Sequence, residues 1–152
     1  MIKKFEKYTL NNNFWKWFGN SKIVDANGNP LIVYHGTISD FDVFDRTSGE
    51  FGGGIYFSRN VEDAQYYAML KGDQCRNIVP VYLSLQNPYY HDIYYSKKML
   101  PTRTTLIKRG HDGIIGKTAN GTEEIVVFFP SQVKSAIGNN GDFDNNNPSI
   151  LN

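Results

Sequence analysis

The chain has 152 residues, of which 40% are hydrophobic and 14% aromatic, with a formal net charge of +1. Its length and apolar content predict one compact domain over residues 1–152 and exclude an intrinsically disordered chain, while the small net charge argues against general attraction to nucleic acid. The single cysteine, Cys75, excludes an intrachain disulfide and is expected on a loop. No apolar run approaches the ~18 residues of a membrane helix, and no apolar segment typical of a signal peptide follows the first lysines, so we expect a cytoplasmic protein without a membrane partner.

The N-terminal part of the chain predicts a short aromatic helix followed by two strands. Residues 1–12 are expected to be largely irregular, although Asn11–Asn13 are typical of a helix start and Gly19 of a helix end. An Asn-Gly turn is predicted at Asn27–Pro30 because this pair tolerates positive φ. The regular elements predicted here are a helix over 14–18, a strand over 22–25 and a buried central strand over 31–34.

The rest of the chain alternates short strands with two further helices. Gly52–Gly54 are predicted to interrupt regular structure before a strand over 55–57. Asn60 and Asp63 resemble an N-cap pair. They open a helix whose predicted inner face carries Val61, Ala64, Tyr67, Ala68 and Leu70. The later predictions are a strand over 78–85, a long loop over 86–100, a helix over 102–109 closed by Gly110, strands over 113–116, 124–129 and 132–136, and an irregular tail over 138–152. Short helices among many strands, without regular βαβ alternation, predict an α+β fold.

Three motifs at the ends of apolar strands could carry chemistry. In Tyr34–Thr37, His35 could donate a hydrogen bond to ribose hydroxyls, and Gly36 would let the backbone approach a planar carboxamide; an ordinary structural histidine is the alternative.

The second and third motifs are Gly54–Ser58 and Thr122–Phe128. The glycines could leave room for a ligand against Tyr56, or Tyr56 and Phe57 could simply alternate between surface and core. Glu124 opens an apolar strand, where a carboxylate is rarely buried without reason, although it could also be the last exposed residue before the strand.

The order of these motifs resembles the histidine–tyrosine–glutamate class of ADP-ribosyltransferases, which includes diphtheria toxin and the poly(ADP-ribose) polymerases. The chain is most similar to the ADP-ribosyltransferase domains in polyvalent proteins of phages and conjugative elements. The similarity covers about residues 14–151 and is carried by Phe14–Asp25, Gly28–Thr37, Gly54–Phe57, Val81–Leu83 with Asn87–Pro88, Asp112–Ile115 and Glu124–Ser135.

The resemblance implies two small, mostly antiparallel sheets packed around an NAD cleft, with a few short helices. It implies a catalytic set of Glu124, His35 and Tyr56, with Glu123 as the competitor of Glu124. His35 would bind ribose hydroxyls, Gly36 the carboxamide, and Tyr56 the nicotinamide ring, with Tyr67 (or its neighbour Tyr66) on the other side of the ring. The implied NAD-binding residues are His35, Gly36, Thr37, Tyr56, Phe57, Ser58 and Tyr67.

The resemblance also implies an activity. We expect a monomeric mono-ADP-ribosyltransferase that cleaves NAD at the nicotinamide–ribose bond and modifies a protein or nucleic acid, as an effector or toxin of a phage, mobile element or bacterium, with a candidate immunity protein as partner. It would act in the cytoplasm of the producing or the recipient cell. An NAD glycohydrolase and a non-catalytic module that binds NAD or ADP-ribose are the alternatives. No metal is expected, since His35, His91 and His111 lack ligand spacing for zinc.

Three positions depart from relatives in this class. Thr122 stands where arginine-modifying relatives carry a glutamate, which disfavours an arginine acceptor. Phe129 stands where relatives often have Asp, and His111 where they often have Tyr. We expect both of these to be structural.

Overall fold

The computed structural model describes residues 10–37, 39–71, 77–96 and 98–152, apart from the side chain of Lys71. The prediction for Cys75, and most of the segment 1–12, lie outside these ranges. The described residues form three α-helices, which are α1 (Asn12–Phe18), α2 (Val61–Lys71) and α3 (Arg103–Lys108). They also form eight strands, which are β1 (Val33–Thr37), β2 (Thr47–Gly49), β3 (Gly52–Phe57), β4 (Asn77–Leu83), β5 (Pro88–Asp92), β6 (Gly113–Lys117), β7 (Glu123–Val127) and β8 (Val133–Ser135). None of the described helices is long and apolar enough to span a membrane.

The strands form two sheets. The small sheet has the order β1-β4-β8, and the large sheet has the order β2-β3-β7-β6-β5. Every neighbouring pair is antiparallel except β5 and β6, which are parallel. The α+β fold with two mostly antiparallel sheets is therefore confirmed.

The main core contains side chains from both sheets. Alternation along each strand turns every second side chain inward, so Ile55 and Phe57 of β3 join Val81 and Leu83 of β4 in one apolar cluster. Burial of each such side chain contributes about 1.5–3 kcal/mol relative to exposure. A second cluster forms beneath α3, around Leu106 and Val126.

Local capping explains where the helices begin. The side-chain oxygens of Asn11, Asn60 and Thr102 accept backbone N–H hydrogen bonds at 2.9, 2.9 and 3.2 Å, respectively, each from the residue three positions ahead. Gly110 follows α3 with φ of 85°, the left-handed conformation that suits a glycine after a helix. All three predicted helices are confirmed within one or two residues.

The inner face of α2 is narrower than its apolar pattern predicts. Ala64 and Ala68 are buried against β1, but Leu70 is 65% exposed, so the prediction for Leu70 is wrong. Two small alanines bring the helix backbone close to the strand, and position 70 lies outside the arc that these alanines define.

Several predicted strand boundaries are wrong. The segment 22–25 forms only an isolated bridge between Val24 and Pro30, and the loop predicted over 86–100 contains β5. β1 begins at Val33, and it lies at the edge of the small sheet rather than at its centre. Gly52–Gly54 belong to β3, because they pair with β2. These outcomes depend on pairing between distant segments, which local propensity does not specify.

Candidate active site

A cleft lies where the two sheets meet. Tyr34 of β1 and Ser58, directly after β3, exchange two backbone hydrogen bonds of 2.9 Å each, which join the sheets at this point. The cleft spans about 330 Å³, including the space open to solvent at its mouth, and is lined by Tyr34, His35, Gly36, Tyr56, Phe57, Ser58, Ala64, Tyr67 and Glu124. The catalytic and NAD-binding residues that the resemblance implies are eight in number, and seven of them, all except Thr37, line this one cleft. Thr37 lines a neighbouring cavity of about 880 Å³, which also borders His35 and Gly36.

His35 is held from several sides. Its Nδ1 lies 2.7 Å from the carbonyl oxygen of Tyr56, and because a carbonyl only accepts, Nδ1 carries the proton. In a neutral ring Nε2 is then the acceptor nitrogen. The rings of Phe44 and Phe57 lie 4.9 and 5.7 Å from the imidazole, centroid to centroid, and restrict its rotation.

Gly36 has a packing role independent of any ligand. A Cβ at this position would lie 2.1 Å from the carbonyl oxygen of Ala64 and 2.8 Å from Cβ of Ala68. The glycine therefore lets α2 lie directly on β1, which brings the residues of α2 to the edge of the cleft.

Tyr56 is fixed by its hydroxyl group, which donates to the carbonyl of Gly52 and accepts from the amide of Phe51 at 3.2 Å. Burial first, and then the charge of Glu124, raise its pKa above the usual value for tyrosine. Gly49 makes room for this ring, since a Cβ there would lie 2.5 Å from it.

One glycine of β3, Gly54, has a packing role of its own. A Cβ on Gly54 would lie 2.3 Å from Cγ1 of Val126, so this glycine allows close packing against the neighbouring strand.

Tyr67 and Glu124 are paired across the cleft. Glu124 is 5% exposed and lies on β7 opposite Gly116 of β6. Burial first, then the charge of Glu124 and a hydrogen bond to it, raise the pKa of Tyr67 to about 12, so the Tyr67 hydroxyl is a stable donor to the carboxylate. The neighbouring Tyr66 is 55% exposed.

Glu123 faces away from the cleft. Successive side chains of a strand point to opposite faces, and Glu123 forms an ion pair with Arg59 in which its side chain is 32% exposed. Of the two adjacent glutamates, only Glu124 lines the cleft.

The remaining predicted residues differ in how they border the cleft. Phe57 and Ser58 are only 2% and 3% exposed, and the ring of Phe57 is part of the main core. Tyr34 and Ala64 line the cleft but were not named from the sequence. The available signals were the position of Tyr34 next to His35 and that of Ala64 one helical turn before Tyr67.

The three positions that depart from relatives lie elsewhere. Phe129 is 41% exposed and contacts the guanidinium of Arg103, and Nδ1 of His111 lies 3.2 Å from the carbonyl of Asn87. The backbone of Thr122 closes the 118–122 turn by accepting from Thr118 at 2.9 Å. None of these side chains lines the cleft. Within the described ranges, no group of three or more His, Cys, Asp or Glu side chains could hold a metal ion.

Comparison with known proteins identifies the family to which the chain belongs. No curated protein matches the chain. The family described as "ADP-ribosyltransferase in polyvalent proteins" matches residues 25–106, more than half of the chain. The matched region includes His35, Tyr56 and Tyr67 but ends before Glu124, which the fold alone brings to the cleft. The chain belongs to the family of ADP-ribosyltransferases found in polyvalent proteins.

Proposed function

We propose that this chain is a mono-ADP-ribosyltransferase that cleaves NAD between nicotinamide and ribose and transfers ADP-ribose to a macromolecular acceptor. The observation that carries the proposal is one cleft in which the nearly buried Glu124 lies with His35, Tyr56 and Tyr67. Membership of the family supports the class of reaction, and the lining of the cleft supports the choice of residues.

The chemistry accounts for a buried acid. When the glycosidic bond breaks, nicotinamide leaves as a neutral molecule and positive charge develops on the ribose, as in glycoside cleavage. The carboxylate of Glu124 would accept a hydrogen bond from the ribose 2′-hydroxyl and stabilise that charge more in the transition state than in the ground state. The Tyr67 hydroxyl would keep the carboxylate oriented. A preorganised group of this kind contributes about 3–4 kcal/mol.

The other residues would bind and orient NAD. Since Nδ1 of His35 donates to Tyr56, a neutral His35 would accept from a ribose hydroxyl through Nε2, rather than donate to it. Tyr56 and Tyr67 would flank the nicotinamide ring, and aromatic contacts of this kind contribute about 0.5–1.5 kcal/mol beyond burial. The backbone of Gly36 would bind the carboxamide, and the rest of NAD would extend into the cavity beside Thr37.

The test uses two identical substitutions at adjacent positions. Nicotinamide release from NAD is measured for the wild type, Glu124→Gln and Glu123→Gln. We expect Glu124→Gln to lose about 10²–10³ in kcat while still binding NAD. Glu123→Gln removes only a partly exposed ion pair, so its kcat should stay within about twofold.

The outcomes separate the alternatives. Equal rates for wild type and Glu124→Gln would contradict the proposal. Tight NAD binding by the wild type, with no release even in a cell lysate, would identify a binding module. Release at the same rate with and without lysate, and no labelled macromolecule, would identify an NAD glycohydrolase.

The acceptor requires a separate experiment. Labelled NAD is incubated with a host lysate, which is then fractionated into protein, RNA and DNA. The proposal expects label in one fraction, with a mass increase of a single ADP-ribose on each modified site. Because Thr122 replaces the glutamate of arginine-modifying relatives, we expect a modified residue other than arginine.

A further inference from the structure

Lys134 is a buried cation outside the cleft. It lies on β8 with 0% of its surface exposed, and its Nζ donates to the carbonyls of Asn147 and Ser149 at 2.9 Å each. Burial of the ammonium group lowers its pKa, with the charge of Asp144 acting in the opposite direction. Burying an ammonium group is costly unless hydrogen bonds compensate for lost water. The two carbonyl contacts therefore tie residues 147–150, the C-terminal segment, to the small sheet.

The C-terminal segment in turn holds the loop of residues 41–44. The amide of Ile150 donates to the carbonyl of Asp42 at 2.7 Å, and Ser149 forms a bridge with Val43. On its other side, the carbonyl of Ile150 accepts from the amide of Ser135 at 2.9 Å. The segment thus lies between β8 and the 41–44 loop, and it is bonded to both.

The 41–44 loop forms one wall around His35. The rings of Phe41 and Phe44 lie 6.3 and 4.9 Å from the imidazole, and both are nearly perpendicular to it. Phe41, Val43 and Phe44 also line the cavity next to Thr37. A displacement of this loop would change both the support of His35 and the shape of that cavity.

We propose that Lys134 is a positioning residue for NAD binding: through the C-terminal segment it holds the 41–44 loop against His35. This inference rests on the proposed function, because it concerns the same cleft. Glu124 lies on β7 of the large sheet, whereas Lys134 and the residues it contacts lie on the side of the small sheet. Loosening the segment should therefore weaken NAD binding and leave the bond-breaking step largely intact.

The test is Lys134→Met, with Lys22→Met as the matched control at an exposed lysine. Methionine fills similar space but leaves the carbonyls of Asn147 and Ser149 without their donor. We expect KM for NAD to rise fivefold or more, the lower end of typical site-to-site coupling, with kcat within about twofold. Lys22→Met should change neither value. A purely structural role would reduce the folded fraction and so the apparent kcat, but would leave KM of the folded protein unchanged.

A second variant covers the case in which Lys134→Met does not fold. Asn147→Ala removes the side-chain oxygen that accepts from the amide of Ser149 at 2.9 Å, and it leaves Lys134 in place. It should raise KM in the same direction by a smaller factor. Unchanged KM in the folded variants would overturn the inference.

Hydrogen exchange gives a readout that does not depend on activity. Amide exchange in the 41–44 loop should become faster in Lys134→Met or Asn147→Ala and stay unchanged in Lys22→Met. If the wild type releases no nicotinamide, the proposed function fails while the exchange result still tests the link between Lys134 and the loop. Unchanged exchange in this loop would overturn the link even in an active enzyme.

Discussion

Substitution of Gly36 by alanine tests the packing of α2 on β1, on which the cleft depends. The added Cβ would lie 2.1 Å from the carbonyl oxygen of Ala64. The closest ordinary contact between such atoms is about 3.3 Å, so the helix must move by roughly 1 Å. Backbone cannot rotate out of the way as a side chain can, and we expect a cost of about 3 kcal/mol, the upper end of typical overpacking.

The assay is thermal unfolding followed by circular dichroism. For a chain of this length, 1 kcal/mol corresponds to about 2–4 °C, so Gly36→Ala should lower Tm by about 6–12 °C. Gly53→Ala is the matched control, because its Cβ would meet no atom closer than 3.7 Å and its φ is not positive. Its free energy of unfolding should stay within about 0.5 kcal/mol of the wild type.

Two results would refute this reasoning. A fall in Tm of under about 2 °C for Gly36→Ala would contradict the tight packing of α2 on β1. Full stability combined with lost NAD binding would mean that the glycine is needed for the ligand alone. If the helix is displaced as expected, the pKa of Tyr67 should also fall from about 12, since its hydroxyl would move away from Glu124.

Two further predictions concern residues of the cleft. Tyr67→Phe removes the hydroxyl that hydrogen-bonds to Glu124, and such bonds to charged groups contribute about 1.5–3 kcal/mol, so kcat should fall at least tenfold while the NAD Kd measured by calorimetry changes little; an unchanged kcat would contradict this role. The folded pKa of Tyr67 is raised to about 12, so the stabilisation that its neutral form provides should be complete below pH 10 and be lost as the pH rises through about 12. Ionisation of the Tyr67 hydroxyl is measured as the difference in ultraviolet absorbance between the wild type and Tyr67→Phe, and the free energy of unfolding of the two proteins is compared over the same pH range. Phe57→Ala should cost about 3–5 kcal/mol in denaturant unfolding, because the ring is 2% exposed in the core; wild-type stability with lost NAD binding would instead show a direct ligand contact.

The helices could be predicted from sequence because their boundaries depend on local contacts. Asn11, Asn60 and Thr102 each cap a helix through a hydrogen bond to the residue three positions ahead, and Gly110 supplies the positive φ after α3. These signals lie within a few residues of the element that they define.

The sheets could be predicted only in part because strand pairing is non-local. β5, with the sequence PYYHD, has no apolar alternation and is extended because it pairs with β6. Among the described residues β5 pairs only with β6, and the two strands are parallel. Parallel neighbours require a crossover connection, which here contains α3, so β5 and its partner are far apart in sequence. Likewise, Gly52–Gly54 have low strand propensity and belong to β3 because they pair with β2.

Two ambiguities in the cleft could not be decided from sequence, and both are shifts of one residue. Glu123 and Glu124 lie on opposite faces of one strand, and Tyr66 and Tyr67 lie about a quarter-turn apart on one helix. Only the packing of those elements determines which member of each pair faces inward. The match to the family ends at residue 106, so it does not decide between the glutamates either.

The geometry of the cleft depends most on the joint between the two sheets. His35 comes from the small sheet, whereas Tyr56 and Glu124 come from the large one. The described contacts across this joint include the two hydrogen bonds between Tyr34 and Ser58 and the bond from His35 to the carbonyl of Tyr56. Because His35 itself contributes one of these bonds, it both aligns the sheets and borders the cleft. A substitution at His35 should therefore affect the distance between the sheets as well as the lining of the cleft, so a loss of activity in such a variant would have two causes.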